Sequence, residues 1–152
     1  ELYSDRFIPE SYISVESARM SVYKNLVLAL SEKDLDDVLY GLVDRFGAAP
    51  SSLINLINEA RLRLLSARFG VRSIISRECG VVCSVLGRDS SVYASAVMDY
   101  AQRLCKKEGV VFHFIPSSEN VLSLCVHFTK TQDSYLFFSR FLHKFGALEK
   151  NN

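Results

Sequence analysis

The chain has 152 residues, 49% of them hydrophobic, enough for one compact domain with its own core. Eighteen basic residues against seventeen acidic ones leave a net charge of +1, which argues against a domain built mainly to grip a phosphate backbone. The sequence opens on Glu1 without an initiator Met. It shows neither a secretory n- and h-region nor the roughly 20-residue apolar run that spans a bilayer. The expectation is an excised, soluble, cytoplasmic fragment with no membrane span.

A Pro-containing lead-in, "RFIPESYI", precedes a first helix over Ser14–Leu30, where Val15, Met20, Tyr23, Leu26, Val27 and Leu30 recur near helical spacing. "SEKD" then offers Ser31 as N-cap and Asp34 three residues on, a variant of the capping box. Leu35, Val38, Leu39, Leu42, Val43 and Phe46 follow as one stripe of a second helix. Gly47 is placed to close that helix in a left-handed conformation, and Pro50 fits the start of the next. A third helix runs from about Pro50 to Phe69, with Leu53, Ile57, Ala60, Leu64 and Ala67 inward and Gly70 as its stop.

After Gly70 the period changes. "VRSII" and "GVVCSVL" are β-branched and flank "SREC" as a hairpin connection. A fourth helix follows through Val92, Ala96, Val97, Tyr100, Ala101 and Leu104, with Lys106 and Lys107 at its carbonyl end and Gly109 after it. "VVFHFI" and "VLSLCVHF" then flank the turn "PSSEN", and a last helix uses Tyr135, Phe138, Phe141, Leu142 and Phe145 before Gly146. The fold class is α+β: three helices, then a ββαββα unit with a four-stranded, mainly antiparallel sheet. Residues 1–13 read as a linker arm and 14–152 as a single domain.

The four cysteines, Cys79, Cys83, Cys105 and Cys125, lie inside apolar stretches and read as reduced, buried thiols, with a disulfide pair left open. If "PSSEN" centres the second hairpin, His113 faces Ser123 and His127 lies four residues further along, roughly 13 Å away at about 3.3 Å per residue. On that register one ion cannot bind both, and Cys125 with either histidine falls short of a structural zinc set, so no metal site is expected. No Gly-x-Ser-x-Gly elbow and no Gly-rich phosphate loop occurs, so no catalytic residue and no cofactor is expected either.

Two charged features remain. On the second helix Asp37, Gly41 and Asp44 follow i, i+4, i+7 spacing, with Asp36 and Tyr40 alongside, as an acidic outer ridge. On the third, Arg61 and Arg68 share a face, and Arg63, Arg72 and Arg77 add positive charge suited to an acidic partner or DNA.

"FIPESYI", "RMSVYKNL", "LVDRFGAAP" and "ARLRLLSARFGVRSI", in that order over Phe7–Ile75, resemble the C-terminal domain of the bacterial transcription-repair coupling factors, the Mfd family. Members are large ATP-driven DNA translocases that dislodge stalled RNA polymerase and recruit the damage sensor UvrA for nucleotide excision repair. The resemblance implies that this chain holds none of the motor. It implies a releasable, autoinhibitory clamp that folds back on a UvrB-like N-terminal module and covers the UvrA-binding surface. Docking there uses acidic residues near the end of the second helix. The matching position is Asp44, and a second acidic position of many relatives corresponds to Gly41, with Asp37 one turn earlier. The partner-binding set is therefore Asp37, Tyr40, Gly41 and Asp44, with Pro9 in the arm as a hinge. The alternative is an accessory nucleic-acid-binding domain using Arg61, Arg63, Arg68 and Arg72.

Overall fold

A computed structural model describes residues 5–68, 71–77, 80–86, 91–115, 121–129 and 134–149. The chain divides into two compact units, one through Leu64 and the other from Leu65 on.

The first unit contains α1 (Glu16–Leu28), α2 (Glu32–Phe46) and most of α3 (Ser51–Arg68). The predicted capping box starts α2. The Asp34 amide donates to Ser31 Oγ at 3.2 Å, and the Asp34 carboxylate accepts from the backbone amides of Ser31 and Leu30, both at 2.9 Å. Two orphan amides of the helix start are thereby satisfied. At the other end Gly47 takes φ +83°, a value that favours glycine, and its amide donates to the Val43 carbonyl at 2.9 Å. The Pro50 carbonyl accepts from Leu53 and Ile54 as α3 begins. The stop, corner and restart read from "LVDRFGAAP" are all present.

The core of this unit is Ile8, Ile13, Leu26, Ala29, Leu35, Leu42, Leu53 and Ile57. Ile8 and Ile13 come from the stretch expected to be a linker arm, so the lead-in is continuous with the core. Its turn is closed by Tyr12 and Ile13 amides on the Pro9 carbonyl, and the Ile8 amide donates to Tyr23 Oη at 2.9 Å.

Helix α1 departs from its predicted stripe. Only Leu26 is fully buried on it, while Met20 and Val27, with Val15 and Leu30 just outside its ends, are exposed. The apolar residues are spread around the helix instead of forming one face, and burial follows geometry rather than apolar content. On α3, Leu53 and Ile57 are buried as predicted and Ala60 and Leu64 pack against the core, but Ala67 is exposed and Leu62 and Leu65 are buried instead.

The second unit carries the predicted ββαββα order: β1 (Val71–Arg77), β2 (Gly80–Leu86), α4 (Ser91–Glu108), β3 (Val111–Ile115), β4 (Val121–His127) and α5 (Ser134–Glu149). The sheet is antiparallel in the order β1-β2-β4-β3. Val97, Ala101, Leu104, Phe138, Phe141 and Leu142 are buried, as the helical spacing requires. Gly109 closes α4 at φ +66°. α5 runs through Gly146, which was expected to follow its end. Gly70, Cys79 and the turn "PSSEN" lie outside the described residues. Cys83, Cys105 and Cys125 are buried thiols; burial pushes Cys83 up to about 12 and Cys105 up to about 11.

The register of the second hairpin corrects the sequence reading. His113 pairs with Cys125, and Ile115 with Ser123. A slip of one residue would flip every side chain to the other face, but the register here is two residues away from the expected one. Both registers put His113 on the same face, so hydrophobic alternation cannot tell them apart. The expected 13 Å separation of His113 and His127 is replaced by a direct contact, with ring centroids 5.1 Å apart.

Candidate functional site

Three ties hold α2 within the first unit. The capping box fixes its start. At its carbonyl end the Tyr12 hydroxyl lies 2.9 Å from the Gly47 carbonyl oxygen and 3.2 Å from that of Leu42, and the Tyr12 ring meets Phe46 at 5.7 Å. Arg61 on α3 forms an ion pair with Asp36. Burial raises the Tyr12 phenol above its ordinary value, while hydrogen bonds from Leu30 and Ser31 lower the Asp34 carboxyl below its own.

With the helix so fixed, Asp37, Tyr40, Gly41 and Asp44 all stand exposed. Tyr40 is 74% exposed, and Val43, three residues on, is 41% exposed although the stripe assigned it to the core. The ridge is thus acidic and apolar together. Neither Asp37 nor Asp44 has an ion-pair partner among the described residues, whereas Asp36 is neutralised by Arg61. Asp44 sits in the last turn, where the helix dipole disfavours negative charge. Asp37 and Gly41 also line a groove of about 580 Å³ between α1 and α2, with Val22, Asn25, Val38 and Phe46. A Cβ at Gly41 would meet nothing within 4 Å.

The arginines of the alternative reading behave differently. Arg63 donates to the Leu26 and Val27 carbonyls at 2.9 and 2.8 Å, capping the end of α1. With Arg61 held by Asp36, two of the four cations serve the fold. Arg72 is exposed on β1, and the side chain of Arg68 lies outside the described residues. Sequence reasoning missed the roles of Tyr12 and Arg63, because both act through backbone carbonyls 30 or more residues away, which carry no sequence signal.

Fold and ridge first define a class: an α+β domain whose helical unit presents an exposed acidic and apolar helix face. Comparison with known proteins then narrows it. The sequence model of the TRCF domain matches residues 2–95. The transcription-repair-coupling factor of Buchnera aphidicola is 30% identical over 109 residues, 71% of this chain and 13% of that protein. That of Escherichia coli is 33% identical over 82 residues, 54% of this chain and 7% of that protein. A crystal structure of the C-terminal domain of a transcription-repair coupling factor shares the fold, with a TM-score of 0.72 at 15% identity over 95% of this chain and 91% of that one. The chain belongs to the TRCF domain family and spans about a tenth of the length of such relatives.

Proposed function

We propose that this chain is a noncatalytic regulatory domain of a transcription-repair coupling factor, an autoinhibitory clamp whose α2 ridge docks on a basic surface of the parent's UvrB-like N-terminal module. In the docked state it masks the surface that UvrA uses. The proposal rests on one observation above all: within the segment matched to the family, Asp37 and Asp44 stand exposed, without ion-pair partners among the described residues, beside the exposed ring of Tyr40. Asp44 is unfavourably placed at a helix C-terminus, and a partner arginine over it would relieve that cost.

Magnitudes assign the ridge two jobs. Exposed charge pairs contribute about 0.2–1 kcal/mol each, so two carboxylates orient and steer more than they hold. Tyr40 and Val43 supply apolar area, worth about 25 cal/mol per Å² removed from water. The clamp is then weak enough to release and specific enough to close in one register.

Mixing this chain with the separate UvrB-like module in a calorimeter at low salt tests the reading. Heat and a complex that weakens as salt rises support it, because screening acts on exposed charges. No heat and no complex would sink it. The nucleic-acid alternative has less support, since Arg61 and Arg63 are spent on intramolecular contacts. Salt-dependent micromolar binding of duplex or single-stranded DNA in fluorescence anisotropy would promote it.

A further inference from the structure

The second unit carries a cluster that the docking ridge does not involve. Because His113 pairs with Cys125 across β3 and β4, those two side chains share a face of the sheet, and His127, two residues beyond Cys125, shares it too. The imidazoles stack at 28° with His127 Nε2 3.2 Å from His113 Nδ1, and Cys125 Sγ lies 4.0 Å from the same Nε2. One ligand atom from each residue falls within 4.8 Å of the other two.

We infer that His113, Cys125 and His127 form a binding site for a zinc-class divalent cation. A tetrahedral zinc with bonds of about 2.0–2.1 Å to nitrogen and about 2.3 Å to sulfur sets its nitrogens about 3.3 Å apart and its sulfur about 3.6 Å from each. The nitrogen pair is already at that spacing, and the sulfur closes the remainder by small side-chain rotations. Two imidazoles and a thiolate are the donor set of a borderline-soft ion, and the cluster offers no carboxylate for calcium or magnesium. On binding, the Cys125 thiol passes its proton to solvent and coordinates as thiolate.

The surroundings suit this role. Gly80 takes φ +121°, and a Cβ there would stand 2.6 Å from the Val126 carbonyl oxygen and 3.2 Å from His127 Nδ1. Glycine at that point makes room for the His127 ring in the orientation that aims Nε2 at His113. Exposure is graded from the fully buried Cys125 through the half-buried His127 to the exposed His113. The fourth coordination position therefore lies toward solvent, open to water or to a ligand atom from another molecule, as at zinc sites with three protein ligands.

Cobalt(II), titrated into the chelator-treated 152-residue chain in a non-thiol reductant, reports both geometry and ligand type. The expected result is 1:1 binding with tetrahedral ligand-field bands and a thiolate-to-cobalt charge-transfer band, displaced by one equivalent of zinc. His113→Gln, an exposed change that leaves the metal-free melting curve in place, should weaken zinc binding tenfold or more, since even outer-shell changes cost about 10–100-fold. Cys125→Ser should abolish the charge-transfer band. His143→Gln, which changes the remaining histidine, should leave affinity unchanged. An octahedral cobalt spectrum, no binding, or binding indifferent to His113→Gln would overturn the assignment.

Discussion

Position 41 allows helix stability and docking to be separated by two substitutions of one residue. Gly41 lies inside α2, and a Cβ there meets no atom within 4 Å, so Gly41→Ala adds neither strain nor packing. Its effect reduces to backbone preference, about 0.8–1 kcal/mol in favour of alanine in a helix interior. For a unit of this size about 1 kcal/mol raises Tm by roughly 4–8 °C. Gly41→Glu gains a similar helix preference but places a carboxylate four residues after Asp37 and three before Asp44. Like charges at those spacings cost about 0.2–0.5 kcal/mol each, which cancels most of the gain. Far-UV circular dichroism melts should therefore rank alanine above glutamate, with glutamate at or slightly above wild type. In the proposed docking to the UvrB-like module the order should reverse: glutamate adds a carboxylate to the exposed ridge between Asp37 and Asp44 and should tighten the complex at low salt, while alanine should leave it near wild type. A fall in Tm for Gly41→Ala would refute the helical, open environment. Equal docking by all three proteins would refute the charge argument.

Removing the Ser31 hydroxyl with Ser31→Ala should lower the stability of the first unit by about 0.5–2 kcal/mol, read from the same melts. The Asp34 carboxyl is held below its ordinary value by its backbone partners, so its contribution is complete above the unfolded value of about 3.9 and is lost as pH falls through the lower folded value. Thermal melts between pH 5 and pH 2 should accordingly show a smaller acid-induced loss for Asp34→Asn than for wild type. Tyr12→Phe keeps the ring against Phe46 but removes the donor to the end of α2, costing about 0.5–1.5 kcal/mol in a denaturant titration. Tyr40→Ala should leave stability within about 0.5 kcal/mol and weaken docking by about 1–2 kcal/mol in calorimetry, since an exposed tyrosine that becomes buried is a typical interface anchor.

What the sequence disclosed was local. Ser31, Asp34, Gly47 and Pro50 act on neighbours within four residues, and each does what its chemistry dictates. The ββαββα order was legible because the period of the apolar residues changes at each boundary. The exposed ridge was legible at Asp37, Tyr40 and Asp44 but not at Val43, since membership of an apolar stripe does not show where the neighbouring helix ends its cover. The pairing of His113 with Cys125 was hidden because a two-residue slip preserves every face. Arg61 and Arg63 looked like a basic surface, and only the fold shows their guanidinium groups turned to Asp36 and to the end of α1.

Charge reversal at Asp44 in the full-length parent puts the clamp to its most direct test. Asp44→Lys lies off the buried stripe and places a cation where the helix dipole favours one, so stability should change by no more than about 0.5 kcal/mol. In the closed state the variant loses an attraction and gains a repulsion, together about 0.4–2 kcal/mol for exposed pairs. That shifts the clamp toward its open state and strengthens UvrA binding by about two- to thirtyfold in a titration at low salt, with the gain shrinking as salt rises. An Asp44→Lys parent that melts like wild type and binds UvrA with unchanged affinity would contradict the account.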